Sequence, residues 1–126
     1  MTSNNALSTS VASDKSVAQI GEEGVIYLAS KIPCYGARRL LKGIGDDCAV
    51  VRGPGKSALL LTVDTAVEGV HFIKEWDFPE SVGAKLLSVC LSDIAAMGGE
   101  PQEALLSMML PPTLPVSWVE RFVEGF

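Results

Sequence analysis

An aspartate lies on the apolar face of the clearest helix pattern in this chain of 126 residues. Asp93 belongs to the stripe of apolar positions that recurs at helical spacing from Val82 to Met97. No Lys or Arg stands three or four positions away, so no neighbour on this helix can balance its charge. A buried carboxylate without a partner is costly, and binding a cation stabilises it. Asp93 is therefore a candidate metal ligand; the alternative is that it caps a neighbouring loop.

A hydroxyl and a second carboxylate end the apolar run LLLTVDT. The alternation of a β-strand places Thr62 and Asp64 on one side and Val63 on the other. Mg²⁺ prefers oxygen ligands, and a hydroxyl two residues before a carboxylate supplies two of them in fixed geometry. Taken alone, this pattern is explained as well by ordinary turn chemistry.

The segment GIGDD, residues 43–47, combines two glycines with two acids. Gly45 allows a sharp bend that brings backbone N–H groups close to a phosphate or a metal, which makes Gly45 and Asp46 a candidate phosphate or metal loop. Adjacent acids such as Asp46 and Asp47 are also common in solvated turns. Three separate acidic features beside apolar strands and an apolar helix nevertheless favour a shared cation.

Two other features favour a structural role. The segment GPGKS, residues 53–57, ends like the phosphate-binding loop GxxxxGK[ST], but Val50 occupies the position of its first glycine and the segment joins two strands. It is interpreted as a hairpin turn. His71 is the single histidine, and a lone histidine between Val70 and Phe72 is more often structural than a ligand. No spacing of Ser, Cys and His suggests a nucleophilic triad.

The pattern of apolar residues, Gly and Pro predicts the elements that position these residues. In chain order they are a helix at 20–32 ended by Pro33, a β-hairpin formed by CAVV and SALLLTVDT, a helix from Pro79 to Met97 with Gly98 as its left-handed cap, a strand at 104–110, and a helix at 115–126. The fold class is therefore α/β. The last amphipathic pattern is still running at Phe126, which suggests a piece of a longer protein.

The composition narrows the classes of function. The chain is 48% hydrophobic with a mean hydropathy of +0.30 and has no apolar run of membrane length, so a globular protein without a membrane partner is expected. Its 10 basic residues are scattered among 15 acidic ones, which argues against nucleic acid as a partner. The three distant cysteines favour reduced thiols in a cytoplasm. Residues 1–15 have no apolar leader and are expected to be a disordered tail, followed by a domain at 16–126.

The segments GIGDDCAVV, TVDTAVEGVHF and LSDIAAMGGEP occur in an order and spacing that resemble thiamine-monophosphate kinases. That family is related to aminoimidazole ribonucleotide synthetase, selenophosphate synthetase and a hydrogenase maturation protein. The resemblance covers about residues 20–126, and EGVHF favours the thiamine enzymes over their relatives. It implies an aminoimidazole ribonucleotide synthetase-like N-terminal domain, a mixed sheet with helices on one face, and an absent C-terminal domain.

The resemblance also implies an activity and a set of site residues. The activity is the ATP-dependent conversion of thiamine monophosphate to thiamine diphosphate with Mg²⁺, in a homodimer built from the sheets of these domains. Carried over by motif, the metal ligands are Asp47, Thr62, Asp64, Asp93 and the main chain of Val63, and His71 contacts the substrate. Val63 and Cys90 depart from the Thr and Asn that the family often has, which leaves side-chain roles there open.

Two alternatives remain. The first is a sister enzyme of the selenophosphate synthetase or hydrogenase maturation type, which acts on another phosphoryl acceptor such as selenide or on an amide being dehydrated. Cys34 in KIPCYG matches the reactive cysteine of selenophosphate synthetases poorly. The second is a module that binds nucleotide or dimerises without catalysis. Magnesium-dependent ATP binding without turnover would indicate the second.

Overall fold

The computed structural model of the protein describes residues 15–33 and 37–126. The chain divides into two compact units, Met1–Ala37 and Arg38–Phe126. Apart from Lys15, the tail expected at residues 1–15 lies outside the described residues, as does Cys34. Among the helices that the structure describes, none combines the length and the apolar character needed to cross a membrane.

The first unit contains helix α1, Val17–Ala29, which is kinked at Gly21, where the backbone is non-helical with a φ of 65°. It begins three residues before the predicted start because the side chain of Gln19 accepts a hydrogen bond from the backbone N–H of Ser16 at 2.7 Å, which satisfies a donor at the helix start. It ends at Ala29 and not at Ile32. Pro33 lacks the N–H that would bond the carbonyl of Ala29, so Ile32 donates to that carbonyl instead, at 3.1 Å.

The second unit begins with a sheet of three short antiparallel strands in the order β1, β2, β3. A 3₁₀ turn, Ala37–Arg39, leads into β1, and the strands are Leu40–Lys42, Ala49–Arg52 and Ala58–Leu61. The hairpin of β2 and β3 is confirmed, with Gly53–Ser57 as its turn and Gly55 at φ 61°. β1 was not predicted. The sheet was expected to be mixed, but in the part of the chain described here its three strands are antiparallel. A parallel pairing occurs outside the sheet, at the isolated bridge of Glu68 and Phe72.

Helix α2, Pro79–Ala96, confirms the clearest of the sequence predictions. Pro79 has a fixed φ that suits the first turn, where its missing N–H costs nothing. At the other end Gly98 has a φ of 68°, and its N–H bonds the carbonyl of Ala95 at 2.9 Å. This left-handed cap ends the helix close to the point that the sequence indicated.

Helix α3, Val116–Gly125, packs closely on α2. The two backbones approach at glycines: a Cβ on Gly83 would meet the carbonyl oxygen of Phe122, and one on Gly125 would meet that of Glu80. Arg121 closes the contact by donating two hydrogen bonds to Glu80, at 2.6 and 2.9 Å, and these bonds hold the pKa of Glu80 below its usual range.

The buried core is small: among residues 15–33 and 37–126 its buried apolar side chains are those of Cys48, Val82 and Phe122. Aromatic rings form a stacked row along α3. Phe72 stacks on Trp118 with 6.3 Å between ring centroids, Trp118 on Phe122 at 5.6 Å, and Phe122 on Phe126 at 6.4 Å. The row connects α3 to the segment around His71.

We expect Gly83→Ala to destabilise the second unit by about 2 kcal/mol, because the added methyl forces the backbones of α2 and α3 apart. Urea unfolding of this chain, followed by tryptophan fluorescence, measures the change. Ser88→Ala on the exposed side of α2 is the control, with an expected change within about 0.5 kcal/mol. Equal stability of the two variants would contradict the close helix contact.

The strand predicted at residues 104–110 is wrong. The segment is irregular, and Leu105 and Met109 are 100% and 95% exposed. A strand is defined by its pairing, and within the described residues no strand runs beside this segment. Residues 104–110 therefore have the composition of a β-strand but pair with no other strand of the described residues.

Candidate functional site

The hairpin places the acidic segments of the sequence at one end of the sheet. The loop at residues 43–48 leads into β2, and Thr62 follows directly after β3. Because Ala49 pairs with Leu61, the residues before Ala49 and after Leu61 leave the sheet side by side. The loop and the Thr62–Asp64 segment therefore start from the same edge.

Helix α2 supplies the third acid at this edge. The hydroxyl of Thr62 donates a hydrogen bond to Oδ2 of Asp93 at 2.6 Å, and both residues are half-buried. The bond ties the end of β3 to the last turns of α2. Among the described residues no Lys or Arg forms an ion pair with Asp93. In the same part of the chain the Asp93 carboxylate accepts from the Thr62 hydroxyl and from no backbone N–H, so the loop-capping alternative finds no support there.

A buried thiol, that of Cys48, directly follows Asp47 in the chain. Cys48 is 1% exposed, and its burial raises the pKa of the thiol. The negative charges of Asp93 and then of Asp47 raise that pKa further. Cys48 therefore stays protonated and serves packing. Sequence patterns did not reveal that the charges of two acids would act on it.

The two neighbouring aspartates of the loop differ in their partners. Asp46 forms an ion pair with Lys42, and its Oδ1 accepts a hydrogen bond from the N–H of Asp47 at 3.1 Å. Gly45 has a φ of 115°, so the bend expected there is present. Asp46 is already neutralised by a lysine, which leaves Asp47 as the stronger candidate for binding a cation.

The segment after β3 carries the remaining predicted ligands. Asp64 is exposed, and its Oδ1 accepts a hydrogen bond from the N–H of Thr65 at 2.6 Å. Val63 is 89% exposed, whereas Thr62 on the other side is half-buried against Asp93. The alternation predicted for these three residues is not borne out, because β3 ends at Leu61 and Asp64 is exposed like Val63 and unlike Thr62.

The donor atoms at this edge suit Mg²⁺. They are carboxylates and one hydroxyl, the hard oxygen ligands that Mg²⁺ prefers. Within residues 15–33 and 37–126, no three His, Cys, Asp or Glu side chains are grouped closely enough to hold an ion by themselves. Protein-bound Mg²⁺ usually takes one or two carboxylates and completes its shell with phosphate oxygens and water. The edge therefore fits an ion that arrives with a phosphate ligand, and the ligand assignments stay predictions.

A cavity of about 270 Å³ adjoins the acidic edge. Its lining combines apolar and polar side chains and comprises Asp64, Thr65, Ala66, His71, Phe72, Val82, Lys85, Leu86 and Val89. Apolar walls with a few converging polar groups are typical of small-molecule sites. Asp64 belongs to both the edge and the cavity, so a molecule in the cavity would lie beside the candidate metal ligands.

His71 contacts the cavity as a fixed side chain. Its Nδ1 accepts a hydrogen bond from the N–H of Val67 at 3.0 Å, so the ring proton is on Nε2. The residue pattern favoured a structural role and the family resemblance a substrate contact, and this geometry accommodates both. One ring nitrogen holds the local turn, and the other remains as a donor.

Lys85 lines the site but was not among the residues predicted from the sequence. Its Nζ donates to the carbonyl oxygen of His71 at 2.7 Å, and the residue lines the cavity. A signal was present, since Lys85 is the sole basic residue of α2 and lies three and four positions from Val82 and Val89, on the same helix face. Helical spacing therefore could have identified it as a charged group beside an apolar wall.

Comparison with known proteins places the chain in a family. The family described as AIR synthase related protein, N-terminal domain, matches residues 45–126. The chain is 47% identical over 107 residues to a thiamine-monophosphate kinase of Aquifex aeolicus, covering 85% of this chain and 32% of that protein. It is 44% identical over 83 residues to that of Escherichia coli K12, covering 66% of this chain and 25% of the relative.

A solved structure has the same fold. It is AaThiL complexed with AMPPCP and TMP, which matches 88% of this chain and 33% of its own with 43% sequence identity and a TM-score of 0.76. The chain thus spans about a third of the length of this protein and of the Aquifex kinase. The α/β fold expected from the sequence is confirmed. With its acidic edge formed by the matched residues 45–126, the chain belongs to the AIR synthase related protein family, of which it provides the N-terminal domain.

Proposed function

We propose that the natural protein containing this chain transfers the γ-phosphoryl group of ATP to thiamine monophosphate, which yields thiamine diphosphate and ADP. One observation carries the proposal: this chain matches, at 43% identity and a TM-score of 0.76, a protein complexed with an ATP analogue and TMP. The relatives named thiamine-monophosphate kinase support the same acceptor. The acidic edge beside a cavity supplies a place for both substrates.

The acceptor needs little activation. A phosphate monoester is largely dianionic near neutral pH, because its second pKa is about 6, so its oxygen can attack the γ-phosphorus without a general base. The bond from that phosphorus to the β-bridging oxygen breaks, and ADP leaves with the electron pair. No side chain is therefore assigned as a catalytic acid or base, and the task of the protein is positioning and charge neutralisation.

Mg²⁺ bound at the acidic edge would neutralise the phosphates and draw donor and acceptor together. Asp47, Asp64 and Asp93 would hold it, with the main chain of Val63 as a further ligand. Thr62 orients Asp93 through its 2.6 Å hydrogen bond and also offers its oxygen. His71 would donate from Nε2 to an acceptor atom of thiamine monophosphate. Because the cavity has few polar groups among its apolar side chains, that hydrogen bond would help to orient the substrate.

We also propose that the protein works as a homodimer in the cytoplasm. β3 is an edge strand, and its Leu59 and Leu61 are exposed, as are Leu105 and Met109. Apolar groups on an unpaired edge favour association with another chain. The free thiols of Cys48 and Cys90 suit a reducing compartment. Sedimentation of the natural protein at micromolar concentration tests the dimer, and a monomer would contradict it.

A coupled assay for ADP tests the function. The natural protein is incubated with ATP, Mg²⁺ and either thiamine monophosphate, selenide or no acceptor. We expect ADP and thiamine diphosphate to form in equal amounts with thiamine monophosphate. Turnover of selenide but not of thiamine monophosphate would assign the protein to the sister enzymes. Binding of ATP with Mg²⁺ and no turnover of any acceptor would indicate a non-catalytic module.

A further inference from the structure

A closed turn presents His71 to the cavity. Within this turn, residues 67–72, the N–H of Gly69 bonds the carbonyl of Phe72 at 2.8 Å, and the N–H of His71 bonds that of Val67 at 2.9 Å. The ring of His71 accepts from the N–H of Val67 at 3.0 Å. These bonds define the shape of the closed turn, whose amides exchange when it opens. They do not determine where the turn lies relative to α2.

Two contacts connect the turn to the helices. Phe72 stacks on Trp118 of α3 with 6.3 Å between the centroids and 28° between the planes. Lys85 of α2 donates to the carbonyl oxygen of His71 at 2.7 Å. Ring stacking at this distance tolerates sliding, whereas a hydrogen bond requires a defined distance and angle. The lysine bond therefore sets the position of His71 along α2.

The position of the turn matters because Nε2 is the ring nitrogen of His71 that is left to bind a ligand. Nδ1 is occupied by Val67, so Nε2–H is the donor that a ligand can meet. A displacement of the turn by about 1 Å would take that donor out of hydrogen-bond range, since such bonds span only about 2.7 to 3.2 Å. Lys85 and His71 both line the cavity, so such a displacement would change the contacts of a molecule bound there.

We propose that Lys85 is a positioning residue for the acceptor substrate: its ammonium group holds the turn of residues 67–72 against α2, so that Nε2–H of His71 faces the cavity beside Asp64. The proposal rests on the function proposed above. It concerns the phosphate monoester that accepts the phosphoryl group and leaves the nucleotide unaffected. Lys85 acts through the backbone of His71 and takes no part in the transfer.

Lys85→Met in the natural protein tests this role, because methionine keeps an apolar stem and removes the donors. We expect the KM for thiamine monophosphate to rise about tenfold, as for the loss of a hydrogen bond from a charged group. The kcat and the KM for ATP should change by less than about twofold, because the loss is in acceptor binding alone. A purely structural defect would alter both substrates together.

Two further variants complete the kinetic test. Lys85→Arg keeps a charged donor, so we expect it to restore the KM for thiamine monophosphate to within about threefold of the unsubstituted protein. Lys56→Met makes the same chemical change at an exposed lysine of the hairpin turn and should leave all constants unchanged. An unchanged KM for thiamine monophosphate in folded Lys85→Met protein would overturn the proposal.

Hydrogen exchange gives a readout that needs no substrate. We expect the amides of Gly69 and His71 to exchange faster in Lys85→Met than in Lys56→Met, since the turn loses its bond to α2. If the unsubstituted protein does not phosphorylate thiamine monophosphate, the proposed function fails, and unchanged exchange would then overturn the role of Lys85 separately. If Lys85→Met does not fold, Lys85→Arg decides, and a tenfold loss of acceptor affinity in that variant would count against a role as donor.

Discussion

Asp93→Asn should lower the kcat of the natural protein at least about a hundredfold, a loss typical of removing a group that holds a metal or its charge in place. Asparagine has nearly the shape of aspartate, and its side-chain oxygen can still accept the hydrogen bond from Thr62. The substitution therefore removes the negative charge and leaves the link between β3 and α2 intact. The assay is ADP release with thiamine monophosphate over a range of Mg²⁺ concentrations, and the Mg²⁺ needed for half-maximal rate should rise.

Asp77→Asn is the matched control. Oδ2 of Asp77 accepts a hydrogen bond from the N–H of Ile73 at 2.8 Å, a local contact that an asparagine oxygen can also make. This variant should keep its activity and its requirement for Mg²⁺. If Asp93→Asn retained both as well, Asp93 would not be a metal ligand. Thr62→Val adds a graded comparison, because it keeps the charge of Asp93 and removes the group that orients it, with an expected loss of about tenfold.

The second large effect concerns this chain of 126 residues produced by itself. We expect it to bind Mg²⁺ and nucleotide weakly and to show no kinase turnover. It spans about a third of the length of its relatives, and phosphoryl transfer needs donor, acceptor and metal in line. A misplacement of about 1 Å can cost a hundredfold in rate. Calorimetry with ATP and Mg²⁺, together with the ADP assay, provides the measurement.

The acidic loop offers an independent check on the isolated chain. The loop that carries Asp47 and the segment bonded to Asp93 start from the same end of the sheet, so a shared cation would hold the loop in place. We expect Mg²⁺ to slow hydrogen exchange at residues 43–47 and to leave exchange in the hairpin turn at 53–57 unchanged. Sustained formation of thiamine diphosphate by the isolated chain, at a rate near that of the natural protein, would contradict the expectation and show that the rest of the protein is dispensable.

Local sequence signals determined the elements whose ends are chemically marked. Pro79 and Gly98 delimit α2, and the turn Gly53–Ser57 closes the hairpin, because a fixed φ, a missing N–H or a positive φ acts within a few residues. The same locality explains the failure at residues 104–110. Their apolar pattern meets the local requirement of a strand, whereas a strand also needs a partner that no local pattern supplies.

The sequence by itself also singled out the candidate metal ligands Asp47, Thr62, Asp64 and Asp93, from their types and from the motifs around them, and their role stays a prediction. Tertiary structure alone decided which of them meet. The register of Ala49 with Leu61 and the hydrogen bond from Thr62 to Asp93 bring distant segments to one edge. Lys85 gained its contact with His71 in the same way. Contacts between residues far apart in the chain depend on how whole elements pack, and neither the periodicity nor the spacing of a single segment contains that information.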